Sequence, residues 1–270
     1  MVINITKPGT LSTLVGAKKY NETSLIINGN INSDDIICIR DMCGKNNTNS
    51  DTQGICITLD LSNTKIVEGG ESYFMNITTN NDKIGDYMFF DLNKLQSIIL
   101  PASISSIGEC AFSNCTSLKN ISMFNNVISI DDGAFNNCSN VTSLTLSNTL
   151  SSIGSYVFQS MSNLKTLSIP SMITSIGSFA FNNCINLSEI TLTSNPPIVG
   201  YSLFFQCDSL IKINVPSGYY SIYVGSMYWS NYSNLIDDGC EKNGSIVKSI
   251  YSGNEISMGM FKLKNTGKLR

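Results

Sequence analysis

The sequence contains no histidine, and only 14% of its 270 residues are charged. Without histidine the chain lacks the commonest general base, the serine and cysteine triads that depend on it, and most catalytic zinc sites. No glycine-rich phosphate loop of the Walker or Rossmann form is present. Adjacent acids such as Asp131 and Asp132 fit solvated turns better than carboxylates facing each other across a cleft. We therefore predict that the protein is not an enzyme and uses no cofactor or metal ion.

Other absences exclude further classes of partner. The net charge is −3, and no cluster of Lys and Arg resembles the basic surfaces that bind nucleic acid. No apolar run reaches the roughly 18 residues of a transmembrane helix. The first ten residues, MVINITKPGT, lack the charged and apolar regions of a secretion signal. We expect neither nucleic acid nor a transmembrane segment.

A repeat of fixed length dominates what is present. Its copies follow the pattern I-G-x-x-A-F-x-x-C-x-x-L-x-x-I-x-L-P, and the leading isoleucines are evenly spaced, at Ile84, Ile107, Ile130, Ile153 and Ile176. A sixth copy is predicted to begin at Ile198, with one extra residue before Phe204. Self-similarity at a fixed period of roughly 20–30 residues is typical of solenoids, in which each unit buries its core only by stacking on its neighbours.

Each part of the repeat predicts its own local structure. The L-x-x-I-x-L segment alternates apolar and polar residues, which predicts a short strand with one buried face. The A-F-x-x-C segment predicts a single helical or 3₁₀ turn on the opposite side. Glycine follows the leading isoleucine in most copies, which predicts a tight or positive-φ corner. Asp131 replaces it in the third copy, and aspartate tolerates the left-handed region better than most residues.

The nine cysteines are predicted to be structural thiols. Cys115, Cys138, Cys184 and Cys207 share one repeat position, which Met161 fills in the fourth copy. A position that accepts Cys or Met is a small apolar core position, because free cysteine behaves as a small buried hydrophobe. The C-x₄-C spacings differ from the C-x₂-C of zinc ribbons. We expect neither disulfides nor a metal site.

The repeat resembles the BspA-type, or Treponema-type, leucine-rich repeat, whose unit has the same length and carries the same I-G-x-x-A-F-x-x-C and L-x-x-I-x-L-P pieces. The preceding segment is similar to the amino-terminal region of Bacteroidetes members, through G-T-L-S at residues 9–12, K-Y-N-x-T-S-L at 19–25, D-D-I-x-x-I-R at 34–40 and L-D-L-S at 59–62. This resemblance covers roughly residues 8–236. It implies an α/β repeat solenoid of the right-handed leucine-rich-repeat type, with a parallel sheet on the concave side, short strands and helical turns on the convex side, and irregular caps.

Four regions are predicted along the chain. Residues 1–83 form an amino-terminal cap, 84–216 the repeats, 217–236 a carboxy-terminal cap, and 237–270 a short tail with a predicted hairpin around residues 252–254. Within the first cap we predict strands at residues 24–28 and 54–61, a helix capped by Asn32 or Ser33, and a polar loop at residues 73–83. A short helix at residues 221–229 is predicted in the second cap.

The exposed positions of the strands are the predicted binding surface. Residues between the buried strand positions form rows of hydroxyl and amide groups, which suit an extended polypeptide or a glycan, although Ser and Thr also simply keep an exposed strand soluble. Phe124 is an aromatic residue at a strand exit, where an exposed ring would mark a binding spot. The candidate ligand-binding residues are Asn120, Ser122, Phe124, Thr145, Ser168, Glu189, Thr191, Lys212 and Asn214.

The resemblance implies a secreted or surface-anchored protein that adheres to host matrix or cell-surface protein. On that basis we expect the chain to be a mature or trimmed form of an extracellular protein rather than a cytoplasmic one. Two alternatives stay open. One is a structural spacer that displays another domain, and the other is a glycan-binding surface protein. An exposed platform of Tyr228 and Trp229 would favour the glycan.

Overall fold

The computed structural model describes residues 1–122, 126–240, 248–252 and 255–259. The chain divides into two compact units, residues 1–238 and residues 239–270. The second unit contains β19 (Lys248–Ser252) and β20 (Glu255–Gly259), which pair antiparallel with Ser252 opposite Glu255. These strands coincide with the predicted hairpin. Among the helices of the described residues, none combines the length and apolarity that crossing a bilayer requires.

The first unit begins with a mixed segment. Its elements are β1 (Val2–Ile5), α1 (Leu11–Val15), a 3₁₀ helix (Gly16–Lys18), β2 (Ser24–Ile31), α2 (Ser33–Met42), β3 (Thr58–Ile66), β4 (Gly69–Phe74) and β5 (Ile77–Thr79). The predicted cap of α2 is confirmed, since the side chain of Asn32 accepts from the Asp34 amide at 3.1 Å and Asp35 accepts from the Asn32 amide at 3.0 Å.

Two predictions for this segment are wrong. The second predicted strand lies later, because β3 starts at Thr58 rather than at residue 54. The predicted loop at residues 73–83 contains the end of β4, all of β5 and the start of a further strand. Tyr73 and Thr79 are buried there, and the Thr79 amide donates to the Ser33 hydroxyl at 2.7 Å. Contacts with α2 order a segment that looks like a loop in the sequence.

The repeats supply two strands each. In chain order the remaining elements are β6 (Lys83–Ile84), β7 (Ser97–Ile99), β8 (Ser106–Ile107), β9 (Asn120–Ser122), β10 (Ser129–Ile130), β11 (Ser143–Thr145), β12 (Ser152–Ile153), β13 (Thr166–Ile169), β14 (Ser175–Ile176), β15 (Glu189–Leu192), β16 (Ile198–Val199), β17 (Lys212–Asn214), α3 (Tyr220–Val224), a 3₁₀ helix (Trp229–Tyr232) and β18 (Ile236–Asp237). The helix α3 is shorter than the predicted helix at residues 221–229.

The strands form parallel stacks. We call one repeat a coil and number the coils one to six. The two-residue strands β6, β8, β10, β12, β14 and β16 form one six-stranded parallel sheet. The longer strands form the long-strand column, with parallel pairs β3–β7, β9–β11 and β13–β15–β17–β18. These stacks confirm the predicted repeat solenoid, whereas its handedness, its curvature and the predicted region boundaries stay predictions.

The sixth coil keeps the length of the other coils, contrary to the prediction. In the six-stranded sheet Ser175 pairs with Ile198, and Ile176 pairs with Val199. The phase-setting residue of coil six is therefore Val199, which lies one full repeat after Ile176. Counted from Val199, the motif runs through Gly200 to Cys207 with no extra residue. The sequence suggests Ile198 as the phase-setting residue because an isoleucine fills that position in the other coils, whereas Val199 next to it occupies the position.

A hydrogen-bond ladder joins the A-F-x-x-C turns of neighbouring coils. The amides of Tyr87, Phe89 and Asp91 donate to carbonyls at positions 109, 111 and 113 of coil two, each at 2.8 Å. The intervening amides, such as that of Phe90, donate three residues back within their own coil. Three equivalent bonds between coils recur at every junction up to coil six. The turns therefore alternate 3₁₀-type bonds with bonds to the next coil.

The glycine after the leading isoleucine provides space rather than a positive φ, so that part of the prediction is wrong. A Cβ at Gly108 or Gly154 would lie 2.7 Å from a backbone nitrogen of the preceding coil. Positive φ occurs two residues later instead, at Cys110 and Tyr156 for example. In the third coil Gly133, at φ 63°, occupies this later position.

The core is a stack of identical layers. Six phenylalanine rings, one from each coil, lie 5.0 to 6.1 Å apart between centroids and are nearly parallel. The repeated cysteines are buried free thiols, and each donates to a phenylalanine carbonyl of the preceding coil, as Cys138 does to Phe112 at 3.2 Å. Burial raises the pKa of the Cys115 thiol to about 12. These thiols fill core positions, as predicted.

The first coil has carbonyls that no earlier repeat can satisfy. The carbonyls at 86, 88 and 90 correspond to those that accept amides in later coils. The hydroxyl of Tyr73 donates to the Asp86 carbonyl at 2.8 Å, and Arg40 Nη1 donates to the carbonyls of Met88 and Phe90 at 3.2 Å. Arg40 is fully buried, and burial lowers its pKa to about 10, so it stays cationic at neutral pH. Side chains thus replace a missing coil.

Aromatic side chains supply hydrogen-bond partners for backbone groups at the other end of the stack. The indole nitrogen of Trp229 donates to the Pro197 carbonyl at 2.9 Å, and the Tyr223 hydroxyl donates to the Ser194 carbonyl at 2.8 Å. The Phe204 amide, whose counterparts donate to a following coil, donates to the Tyr232 hydroxyl at 3.3 Å. These contacts close the end of the stack, coil five at Ser194 and Pro197 and coil six at Phe204, with side-chain groups where an additional repeat would supply backbone.

Removing one core ring should destabilise the stack strongly. We expect Phe135→Ala to lower the free energy of unfolding by about 3–5 kcal/mol, because the ring is buried between Phe112 and Phe158. Urea unfolding followed by circular dichroism measures this loss. The control Phe205→Ala removes a half-exposed ring and should cost less than about 1 kcal/mol. Equal losses for the two variants would contradict the layered core.

Replacing Arg40 tests whether it closes the first coil. Arg40→Met keeps most of the volume but leaves buried carbonyls without a donor, and should cost about 3–5 kcal/mol in urea unfolding. The stability of Arg40→Lys should lie between those of the unmodified chain and Arg40→Met, because a lysine ammonium donates hydrogen bonds but cannot reproduce the planar fork of donors. Lys65→Met, which alters a cation in an exposed ion pair, serves as the control and should change stability by less than about 1 kcal/mol. A loss below about 1 kcal/mol for Arg40→Met would contradict this role.

Candidate binding face on the long-strand column

Strand alternation places the predicted binding residues on one face. The central residue of each strand is buried, as Ile121, Leu144 and Ile190 show. Its two neighbours therefore belong to the opposite face of the sheet. The paired register aligns these neighbours within β9–β11 and within β13–β15–β17, and the repeat period assigns the other members. We call the two sets row one (Ser97, Asn120, Ser143, Thr166, Glu189 and Lys212) and row two (Ile99, Ser122, Thr145, Ser168, Thr191 and Asn214).

The two rows gather all the predicted residues that the structure describes. Asn120, Glu189 and Lys212 lie in row one, and Ser122, Thr145, Ser168, Thr191 and Asn214 lie in row two. Phe124 lies outside the described residues. Paired strands of a sheet are about 4.8 Å apart, so within β9–β11 and within β13–β15–β17 each row repeats a polar residue at that spacing. Ile99 is the apolar exception at the start of row two.

The face differs between its two ends. Around coils two to four, Asn120, Thr145 and Ser168 are exposed. In coils five and six the side chains bond to one another, since the Asn214 amide donates to the carboxylate of Glu189 and to the Thr191 hydroxyl, the latter at 3.3 Å. The face thus combines open hydroxyl and amide groups with a linked polar cluster.

An ion pair extends the face beyond the last predicted residue. Lys212 Nζ lies 3.2 Å from the carboxylate of Asp237, which belongs to β18 beside β17. Both side chains are more than a third exposed, so the pair contributes little to stability but supplies opposite charges to a ligand. The sequence interpretation missed Asp237, although the period signals it, because Ile236 follows Ile213 by one full repeat and pairs with it.

The aromatic platform expected for a glycan is not formed by Trp229. Its side chain is 1% exposed, and its ring lies edge-on to Tyr223 with centroids 5.3 Å apart. Tyr228 is half-buried against the same core. Trp229 is therefore not an exposed platform that would favour a glycan, and its indole nitrogen donates to the Pro197 carbonyl instead.

An open cavity of about 480 Å³ lies beside the short strands, away from the long-strand column. Its lining includes the carboxylates of Asp86, Glu109, Asp131 and Asp132, of which the last two are the exposed adjacent acids noted in the sequence. The pKa of Asp131 is raised, first by burial and then by repulsion from Asp86 and Asp132. Across the part of the chain that is described, no three His, Cys, Asp or Glu side chains group to hold a metal ion.

Comparison with solved structures shows the same fold in a bacterial protein and finds two further similar structures. A leucine-rich repeat protein from Bacteroides ovatus matches with a TM-score of 0.51 and 20% identity, over 73% of this chain and 44% of its own. The T. pallidum leucine-rich repeat protein matches with a TM-score of 0.45 and 23% identity, over 59% of this chain and 80% of its own. A leucine-rich cell surface protein from Faecalibacterium prausnitzii matches with a TM-score of 0.46 and 24% identity, over 63% of this chain and 50% of its own.

This chain spans less than half of the Bacteroides ovatus protein. Comparison with curated protein sequences finds no match. The model of the BspA type leucine-rich repeat region matches residues 71–171 and 152–264, with six copies, and so covers well over half of the sequence. The BspA-type family is a binding or repeat family. The repeat motif and the stacked parallel strands agree with this family match. The chain belongs to the BspA-type leucine-rich repeat family.

Proposed function

We propose that the protein acts outside the cell, secreted or on the cell surface, and binds an extended segment of a host extracellular protein across rows one and two. The observation that carries this proposal is the recurrence of hydrogen-bonding residues on one face of successive long strands, in register across β9–β11 and across β13–β15–β17. Membership of a family that generally mediates protein binding or adhesion supports it. The low charge content and slightly acidic net charge fit a polar protein surface rather than a nucleic-acid partner.

The chemistry of the face suits a polypeptide backbone. The Asn120 side chain offers both a donor and an acceptor, and the hydroxyls of Thr145 and Ser168 rotate to serve either role. A ligand lying along the rows meets one such group about every 4.8 Å, while each residue of an extended chain advances about 3.3 Å. Lys212 and Asp237 supply charges of opposite sign at one end, which would set the direction of the bound segment.

A structural spacer is the second candidate function. It is favoured by the length comparison, since this chain covers only 44% of the Bacteroides ovatus structure and 50% of the Faecalibacterium prausnitzii one. In that role the stack would hold another domain at a distance and have no ligand of its own. The polar rows would then serve only to keep the exposed strands soluble.

A binding screen separates these functions. The purified chain is tested against a panel of host matrix proteins and a glycan array, beside the variant Asn120→Ala, Thr145→Ala, Lys212→Ala. We expect binding to a matrix protein that the triple variant weakens about 10- to 2,000-fold, if each lost hydrogen bond contributes about 0.5–1.5 kcal/mol.

A matched control removes polar groups from surfaces away from both rows. The variant Asn140→Ala, Asn163→Ala, Lys18→Ala alters exposed residues outside both rows and should bind like the unmodified chain. A matrix protein that binds the triple variant as tightly as the unmodified chain would exclude the rows as the site. Binding to the glycan array alone would assign a glycan ligand, and no binding on either panel would favour the spacer.

A further inference from the structure

Coil six carries exposed apolar side chains at positions that are polar in the preceding coil. Ile198, Tyr201, Phe205 and Ile211 are 80%, 53%, 53% and 74% exposed. The residues one repeat earlier are Ser175, Ser178, Asn182 and Ser188. Since coil five folds in the same way with polar residues, packing of the solenoid does not require the apolar ones. Their exposed apolar side chains therefore call for another explanation than folding.

Two of these residues belong to a contiguous group of rings on the turns. Tyr156, Phe179, Tyr201 and Phe205 form what we call the turn-side aromatic cluster. The ring of Phe179 lies 5.2 Å from Tyr156, 5.0 Å from Tyr201 and 6.4 Å from Phe205, between centroids. Tyr156 is also 39% exposed. A contiguous exposed group of large aromatic side chains is typical of an interaction surface.

The first coil shows what happens to such rings when they are covered. Tyr87 and Phe90 occupy the same repeat positions as Tyr156 and Phe205. Phe74, from β4, covers them with ring centroids 5.5 Å and 5.8 Å away, and the guanidinium of Arg40 lies 5.1 Å from the centre of Phe74. At that end the chain supplies its own apolar and cationic cover, whereas Tyr201 and Phe205 stay more than half exposed.

The charge beside the aromatic cluster indicates the sign of its partner. The repeat position of Tyr201 is acidic in the first three coils, as Asp86, Glu109 and Asp132. These acids line the open cavity described above, which reaches Gly154 beside the cluster and has no basic residue in its lining. In coil one the Tyr87 hydroxyl donates to the Glu109 carboxylate at 3.0 Å, so rings and acids at these two positions are within reach of each other.

We propose that the turn-side aromatic cluster, with the acidic cavity beside it, is a second docking surface that takes a cationic, extended segment of a partner protein. Arginine suits both halves, because its guanidinium pairs with carboxylates and stacks on aromatic faces. Asp132 and Tyr201 are three coils apart, which is about 14 Å at the usual strand spacing. An extended segment spans this distance in about four residues.

The test uses two labelled peptides of equal length in fluorescence anisotropy with the full chain. One peptide carries four arginines and four leucines among serines, and the other replaces each arginine with glutamate. We expect the arginine peptide to bind, the glutamate peptide not to bind, and the affinity to fall as salt is added. No binding of the arginine peptide up to about 1 mM, or equal binding of both peptides, would overturn the proposal.

Variants taken from the repeat itself separate ring contacts from general attraction to an acidic protein. Tyr201→Ser with Phe205→Asn installs the residues of coil five and leaves the net charge unchanged. We expect this pair to weaken binding at least about 10-fold. Ile211→Ser makes the same kind of change in the same coil, next to β17, and should leave binding unchanged. Unchanged affinity in the double variant would overturn the proposal.

Two further measurements complete the test. Asp131→Asn with Asp132→Asn keeps the hydrogen-bond acceptors and should weaken binding about 10-fold and reduce its salt dependence. The row variant Asn120→Ala, Thr145→Ala, Lys212→Ala should bind the arginine peptide normally, so failure of this surface and failure of the proposed function are distinguishable. Self-association in sedimentation that Tyr201→Ser with Phe205→Asn abolishes would assign the surface to a second copy of the chain instead.

Discussion

The hydrogen-bond ladder between successive turns is the constraint on which the rest of the structure depends. Each coil donates three amides to the carbonyls of the next, so a coil in the middle of the stack is complete only when it has a neighbour on both sides. Unpaired buried backbone groups are costly, and the two ends must therefore be closed by something other than a repeat. Arg40 and Tyr73 do this at one end, and Tyr232 accepts the Phe204 amide at the other. Residues outside the repeat pattern thus complete the hydrogen bonding of the repeats at both ends.

Because the register between coils is constant, each repeat position becomes a row on the surface. A substitution in one coil therefore changes one step of a row and leaves the core layer beneath it intact. The rows on the long strands remain mostly polar along their length, whereas the row that contains Tyr201 changes from acidic to aromatic between the first coil and the last. Two surfaces of different chemistry can thus share one scaffold, since neither competes with the packing of Phe135 and its counterparts.

Much of this organisation was predictable from the sequence, for reasons visible in particular residues. Alternation around Leu144 and Ile190 predicts the strands, and the shared position of Cys115 and Cys138 predicts a buried thiol. The role of Arg40 was not predictable, because the first-coil carbonyls to which it donates lie 47 to 50 residues away along the chain. The hairpin of β4 and β5 was missed because the contacts that bury it, with Ser33 of α2 and with Tyr87 and Phe90 of coil one, come from segments distant in the sequence.

The sequence by itself determined the period, the strand positions and the identity of the core layers, because each of these follows from local patterning that recurs with every copy. Only the tertiary structure decided what the side chains outside that pattern do. It showed Val199 to be the phase-setting residue of coil six, Trp229 to be a buried donor, and the acids of coils one to three to share one cavity. The physical reason is that these outcomes depend on which groups the stack brings together, and a one-dimensional pattern does not contain those distances.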